Sequence, residues 1–138
     1  KLVKIMKFEF VLSNTKKEKE MINSNDRLHH FAKAKKTSHL RKLGEKQALN
    51  RKEEQFSKDN PCHIEIVIFS PTRRRLDPPN FYPTIKAILD GFTDAKFWTD
   101  DNYEIIKSMT FRYGGLSNIK SKYRIEIIIK KEKGDSYD

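Results

Sequence analysis

The stretch "HIEIVIF", His63 to Phe69, does most to restrict what this chain can fold into. Its isoleucines, valine and phenylalanine fall partly on both faces of an extended strand, as expected for a strand buried within a sheet. "DNPC" precedes it and breaks whatever helix comes before. A second strand is predicted near the start, where Phe8, Phe10 and Leu12 alternate with Lys7, Glu9 and Val11 at the period of two. Two more are predicted over roughly Tyr103 to Tyr113 and Lys122 to Lys131, the latter with Tyr123, Ile125, Ile127 and Ile129 on one face. "YGGLSN" between them has the glycine and asparagine of a tight turn, which points to an antiparallel hairpin.

Two helices fit between these strands. Asn25 or Asp26 is a candidate cap for one beginning near Arg27 and running to about Phe56, with Leu28, Phe31, Leu40, Leu43 and Phe56 as sparse apolar positions. Lys33, Lys35, Lys36, Arg41, Lys42, Lys46, Arg51 and Lys52 cover much of its remaining surface, so it is expected to be only partly buried. The lysine-rich stretch Ser13 to Asn25 ahead of it reads as a loop. The other helix is predicted from about Pro83 to Ala95, since proline is tolerated in a first turn. The order is β-α-β-α-β-β: an α+β fold, one domain across residues 1–138, with a small mixed sheet of about four strands packed with two helices. Met6 opens "MKFEFVL" and is a candidate start that would leave Lys1 to Ile5 upstream; "KGDSYD" is expected to be a frayed tail.

Charge narrows the partners. Twenty-nine Lys and Arg against nineteen Asp and Glu give a formal charge of +10, which favours a polyanion, nucleic acid above all, since cations that neutralise phosphates release condensed counterions. No stretch approaches the roughly 18–20 apolar residues of a membrane span, and no signal-peptide core is visible, so no membrane partner and a cytoplasmic location are expected. The single Cys62 excludes an internal disulfide framework and is expected to be a small buried hydrophobe.

The residues that could carry chemistry gather in "RRRLDPPNFYPTIKAILDGF", Arg73 to Phe92, and just beyond it. On the second helix Ile85, Ile88, Leu89 and Phe92 form one stripe, and Lys86, Asp90 and Asp94 lie opposite at spacings of four. Taken alone, that polar side is a solvated face with a Lys86–Asp90 ion pair. Asp77 and Asn80 stand in the loop feeding the helix, however, and "TDDN" sets Asp100 and Asp101 beyond its end. Carboxylates and an amide are hard oxygen ligands suited to Mg²⁺ or Mn²⁺. A lysine beside them can neutralise charge on a phosphate under attack. Arg73, Arg74 and Arg75 can clamp backbone phosphates in bidentate fashion. A helix of this length separates its ends by about 16–18 Å. Asp77 and Asp101 therefore meet only if the loop folds back or a second subunit completes the site.

Of the other reactive side chains, His29, His30, His39 and His63 lack the spacing of a zinc site. His29 and His30, at the start of the basic helix, could contact DNA or only cap and pack. Trp98 is expected to be a core or dimer anchor, whereas Phe81 and Tyr82, in the loop, have the better claim to touch unstacked bases.

"RRRLDPPNFYPTIKAILDGFTDAKFWTDDNYEI" resembles the signature of the RusA family of Holliday junction resolvases: an arginine run, Asp and Asn in a short loop, a helix with Lys and a Leu-Asp pair, then Asp-Asp. "SNDRLHHFAKAK" is similar to that family's Asn-Arg segment and first helix, which implies DNA contacts for Asn25, Arg27, Lys33, Lys35 and Lys36. The resemblance implies a homodimeric, Mg²⁺-dependent endonuclease that cuts four-way DNA junctions. It implies that Asp77, Lys86 and Asp101 are catalytic and that Asn80 and Arg73 to Arg75 hold DNA. Pro79 stands where the better-known pattern has a second aspartate, and "FYPTI" is similar to a phage-type branch. Asp90 or Asp100 would then complete a metal shell with Asp77 and Asp101, or the ion would keep another water. The alternative from a different class is a non-catalytic basic module that binds branched or single-stranded nucleic acid.

Overall fold

A computed structural model describes residues 5–51 and 55–132. Lys52, most of the N-terminal extension and the 133–138 tail lie outside the described residues. Seven elements follow in order: β1 (Ile5–Ser13), α1 (His30–Leu49), β2 (Cys62–Ser70), a short 3₁₀ turn η1 (Pro78–Phe81), α2 (Tyr82–Asp94), β3 (Ile106–Leu116) and β4 (Lys122–Lys131). They make one α+β domain with a four-stranded mixed sheet in the order β1-β4-β2-β3.

β4 lies antiparallel to both β1 and β2, while β3 runs parallel to β2. The expected β3–β4 hairpin is therefore not formed. Leu116 to Lys122 instead carries the chain past β2 to the far side, with Gly115 at φ 111°, and Asn118 and Ser121 in the left-handed region. The side-chain pattern explains the outcome. β4 carries Ile125, Ile127 and Ile129, all fully buried, with Ile128 half-buried on the opposite face, and so belongs between two strands. β3 exposes much of both faces and serves as an edge.

One face of the sheet holds the core. Met6, Phe8, Phe10 and Leu12 of β1 sit in register with Ile129, Ile127, Ile125 and Tyr123 of β4, and Ile64, Ile66 and Ile68 of β2 continue the same rows. Both helices cover this face: Leu40 and Ala48 from α1, and Ile85, Ile88, Leu89 and Phe92 from α2, share its cluster. The opposite face is a lattice of ion pairs, among them Lys7–Glu126, Arg124–Glu126, Arg112–Glu65 and Lys130–Glu65.

α1 starts three residues later and stops seven residues earlier than the sequence suggests. His29 sits at its N-cap, its Nδ1 3.4 Å from the Phe31 amide, and Asn50 ends it. Asp26 is spent elsewhere, accepting from the Asn23 amide and from Lys19. Phe56 lies beyond the helix, in a single bridge to Trp98, and both are buried. Only Leu40, Gly44 and Ala48 of α1 are buried, so its first ten residues stand clear of the core. The loop before it is anchored by fully buried Met21 and by Ile22, whose backbone exchanges two 2.8 Å hydrogen bonds with the buried Thr84 hydroxyl. Cys62 is buried, as expected.

Candidate functional site

α2 positions the site. Its apolar stripe seats it on the sheet, and Pro83 in the first turn costs no hydrogen bond because those amides have no intrahelical acceptor. The stripe turns Lys86 and Asp90, four residues apart, outward on the same side. Beyond the helix, Lys96 adopts φ 64° and the Phe97 amide bonds back to the Phe92 carbonyl. This reverses the chain, seats Trp98 in the core, and returns residues 99–101 along the helix.

That reversal brings Asp101 to Lys86. The Lys86 ammonium donates 2.8 Å hydrogen bonds to Asp90 Oδ1 and to Asp101 Oδ2. The Asp101 carboxylate, and then Asp90, holds the Lys86 pKa well above its ordinary value. In return the ammonium holds Asp101 below the usual carboxylate range. Asp100 turns aside: its Oδ1 accepts from the Asp101 amide and its Oδ2 from Asn102. Asp94 pairs with Arg41 of α1 and so ties the helices together.

Lys86 and Asp101 lie on the wall of an open depression of about 280 Å³, with Tyr82, Leu89, Ile106, Ser108 and Met109; Asp90 reaches it only through its bond to Lys86. Asp77 and Asn80 do not line it. Asp77 is exposed at the start of η1, where its side chain makes no capping bond; its carbonyl accepts from the Asn80 amide. The Asn80 carbonyl in turn accepts from the Ser24 amide, so the segment containing Asn25 and Arg27 is fastened to the start of α2. Arg73, Arg74 and Arg75 are exposed, and none has an ion-pair partner among the described residues. Lys33 and Lys35 are exposed; Lys36 reaches the Lys19 carbonyl. Among the described residues, no three His, Cys, Asp or Glu side chains stand together in a way that could hold a metal.

Two aromatic expectations part company. Phe81 is 4% exposed and packs against Tyr123, so it is a core residue. Tyr82 is exposed and lines the depression. Trp98 is fully buried, with its indole N–H donated to Thr93.

Sequence reading missed Ser108. Its hydroxyl lies 2.6 Å from His63 Nδ1, and His63 Nε2 lies 3.0 Å from Glu132. The signal was present in β2 and β3 but depended on their pairing: only a parallel register sets His63 opposite Ser108. An expected hairpin hid it.

No protein-family model and no curated protein matches the chain. Among the described residues no helix is long and apolar enough to cross a membrane.

Proposed function

We propose that the protein is a divalent-metal-dependent, structure-specific endodeoxyribonuclease that resolves four-way DNA junctions, as the resemblance to the RusA family implies. The observation that carries this reading is Lys86 held at 2.8 Å from both Asp90 and Asp101 on the wall of an open depression. An isolated surface ion pair is worth only about 0–1 kcal/mol, so a lysine shared by two carboxylates from separate segments is a poor stabilising device. It is a good way to keep one positive charge fixed where a phosphodiester could enter.

The donor chemistry fits Mg²⁺, which binds through one or two carboxylates and keeps several waters. Asp90 and Asp101 are the two that would hold it here, in place of the Asp77–Asp101 pair the resemblance implies. A divalent ion bound there supplies Lewis acidity toward a phosphate oxygen and acidity to a coordinated water. Lys86, kept protonated by its neighbours, offsets negative charge developing on the phosphate. Arg73 to Arg75 hold flanking phosphates and position the strand without reading bases. A homodimer would match two sites to the two-fold symmetry of the junction.

The test is a synthetic four-way junction incubated with Mg²⁺ or Mn²⁺. Wild-type protein is expected to nick it, and Asp101→Asn or Lys86→Gln to lose about 10²–10³ in rate while still binding. Asp77→Asn separates the two carboxylate sets: it is expected to cut if Asp90 and Asp101 suffice. Failure of the wild type on junction, duplex and flap alike, with binding intact, would make the chain the non-catalytic DNA-binding module instead.

A further inference from the structure

We propose that the first ten residues of α1 form a cationic arm whose aromatic tip, Phe31 with His29 and His30, stacks on unpaired bases of a nucleic acid. The arm rests on the nucleic-acid reading above and does not need the nuclease step.

The observations are independent of the depression. From His30 to His39 no residue of α1 is buried; the segment meets the rest of the domain through Lys36 on the Lys19 carbonyl and His39 on Glu20, both in its last four residues. Phe31 is 71% exposed, an unusual place for a phenylalanine. It is not alone there. The His29, His30 and Phe31 rings form one cluster, with centroids 4.4, 4.1 and 5.3 Å apart, and both histidines are exposed. Three adjoining π faces in solvent cover no part of this protein's core.

Charge selects the occupant. No acidic residue occurs from Arg27 to Gly44, while Arg27, Lys33, Lys35, Lys36, Arg41 and Lys42 lie in that span. Glu20 meets this stretch at His39 and Asp94 meets it at Arg41, which leaves Arg27, Lys33 and Lys35 near the tip without an acidic partner among the described residues, and a membrane-surface helix would need an apolar face that this segment lacks. Cations along a track with aromatic rings beside them are the arrangement that holds single-stranded nucleic acid, where phosphates meet Lys and Arg and bases stack on rings. The Ser24–Asn80 and Ile22–Thr84 hydrogen bonds fix the loop leading to the tip against the start of α2, where Tyr82 opens into the depression. An arm bound to unpaired bases is thus tethered at the end of the molecule where the strand would be cut.

The experiment is fluorescence anisotropy of a labelled oligothymidylate and of a four-way junction, in EDTA to prevent cleavage, across a salt series. Phe31→Ala is expected to weaken oligothymidylate binding by about fivefold to a hundredfold without changing the salt slope. Phe31→Tyr is expected to restore it. Lys33→Ala is expected to weaken binding and lower the slope by roughly 0.7, the value for one phosphate contact on a single strand. Phe31 is solvent-exposed, so folding of these variants is checked by urea titration alone. The inference is overturned if Phe31→Ala binds as wild type, if Phe31→Tyr fails to rescue, or if the protein prefers phosphatidylserine vesicles to the oligonucleotide. Junction cutting with a silent Phe31→Ala sinks the arm alone; a working arm with no cutting sinks the nuclease alone.

Discussion

Replacing Gly91 by alanine should destabilise this protein, although helix propensity argues the reverse. In an open helix Gly→Ala adds about 1 kcal/mol of stability. Here α1 and α2 cross with glycines at the contact. A Cβ on Gly91 would lie 2.0 Å from the Arg41 carbonyl oxygen and 2.6 Å from the Glu45 nitrogen. A Cβ on Gly44 would lie 2.1 Å from the Ile88 carbonyl oxygen. Ordinary contact starts at 3.4 Å, and the obstructing atoms are backbone, which has no rotamer to escape into. The helices must separate by about 1 Å, and α2 takes Lys86 and Asp90 with it.

Overpacking of this kind costs about 3 kcal/mol at the upper end of its usual range. Less the propensity gain of about 1 kcal/mol, a net loss of about 2 kcal/mol is expected for either variant. For a domain of this size that lowers Tm by about 5–10 °C. Because one separation relieves both clashes, Gly44→Ala with Gly91→Ala should cost less than the sum of the singles. Urea unfolding followed by the fluorescence of Trp98, the chain's one tryptophan, measures all three variants at constant m-value. Ala34→Gly, on the exposed part of α1, supplies the propensity scale in the helix that carries Gly44. If Gly91→Ala matches or exceeds wild type, the close approach of the two backbones is wrong, and with it the placement of Lys86.

Three further outcomes are expected. Burial pushes the Cys62 thiol up to about 12, so Ellman's reagent should find no reactive thiol in the native protein and one after unfolding. Lys86 holds Asp101, Arg41 holds Asp94 and Arg112 holds Glu65 below their ordinary values of 3.8, 3.8 and 4.5. The folded state therefore binds fewer protons, and this contribution is complete above about pH 5 and fades as pH falls through the depressed values. Urea midpoints should drop between pH 6 and pH 3, and Asp101→Asn should flatten that drop by a few tenths of a kcal/mol, the scale of a solvent-exposed pair. Thr93→Val strands the buried Trp98 N–H and should cost about 1–3 kcal/mol by the same urea titration, whereas Thr93→Ser should keep most of it.

What the sequence made legible follows from which forces are local. Alternation in β1 and the Ile85–Phe92 stripe of α2 report burial directly, and both elements lie where the pattern puts them. Lys86 and Asp90 were legible for the same reason, since four residues is one helical turn. Strand order is not local. "YGGLSN" carries good turn chemistry, yet β4 has apolar residues on both faces and gains more from two neighbours than from one, so it moves between β1 and β2. The exposure of Phe31 was not legible, because spacing marks it as one of the helix's apolar positions without saying whether a surface lies opposite.

The sign and number of charges were plain from the start, but their availability was not. On the open sheet face Lys7, Arg112, Arg124 and Lys130 are each spent on Glu126, Glu65 or Glu9. Arg73, Arg74, Arg75, Lys33 and Lys35 have no acidic partner among the described residues. The formal +10 is thus not a uniform coat. Lys42, Lys107 and Lys120 are also exposed without an acidic partner among the described residues, but the loop before α2 and the arm of α1 each carry more than one such cation, and hydrogen bonds at Ser24 and Ile22 tie the segment leading to the arm to the start of α2. A polyanion attracted by the whole molecule would come to rest there, beside Tyr82 and the Lys86 depression, and the salt slopes of Arg74→Ala and Lys130→Ala should differ accordingly: the first reduced, the second unchanged.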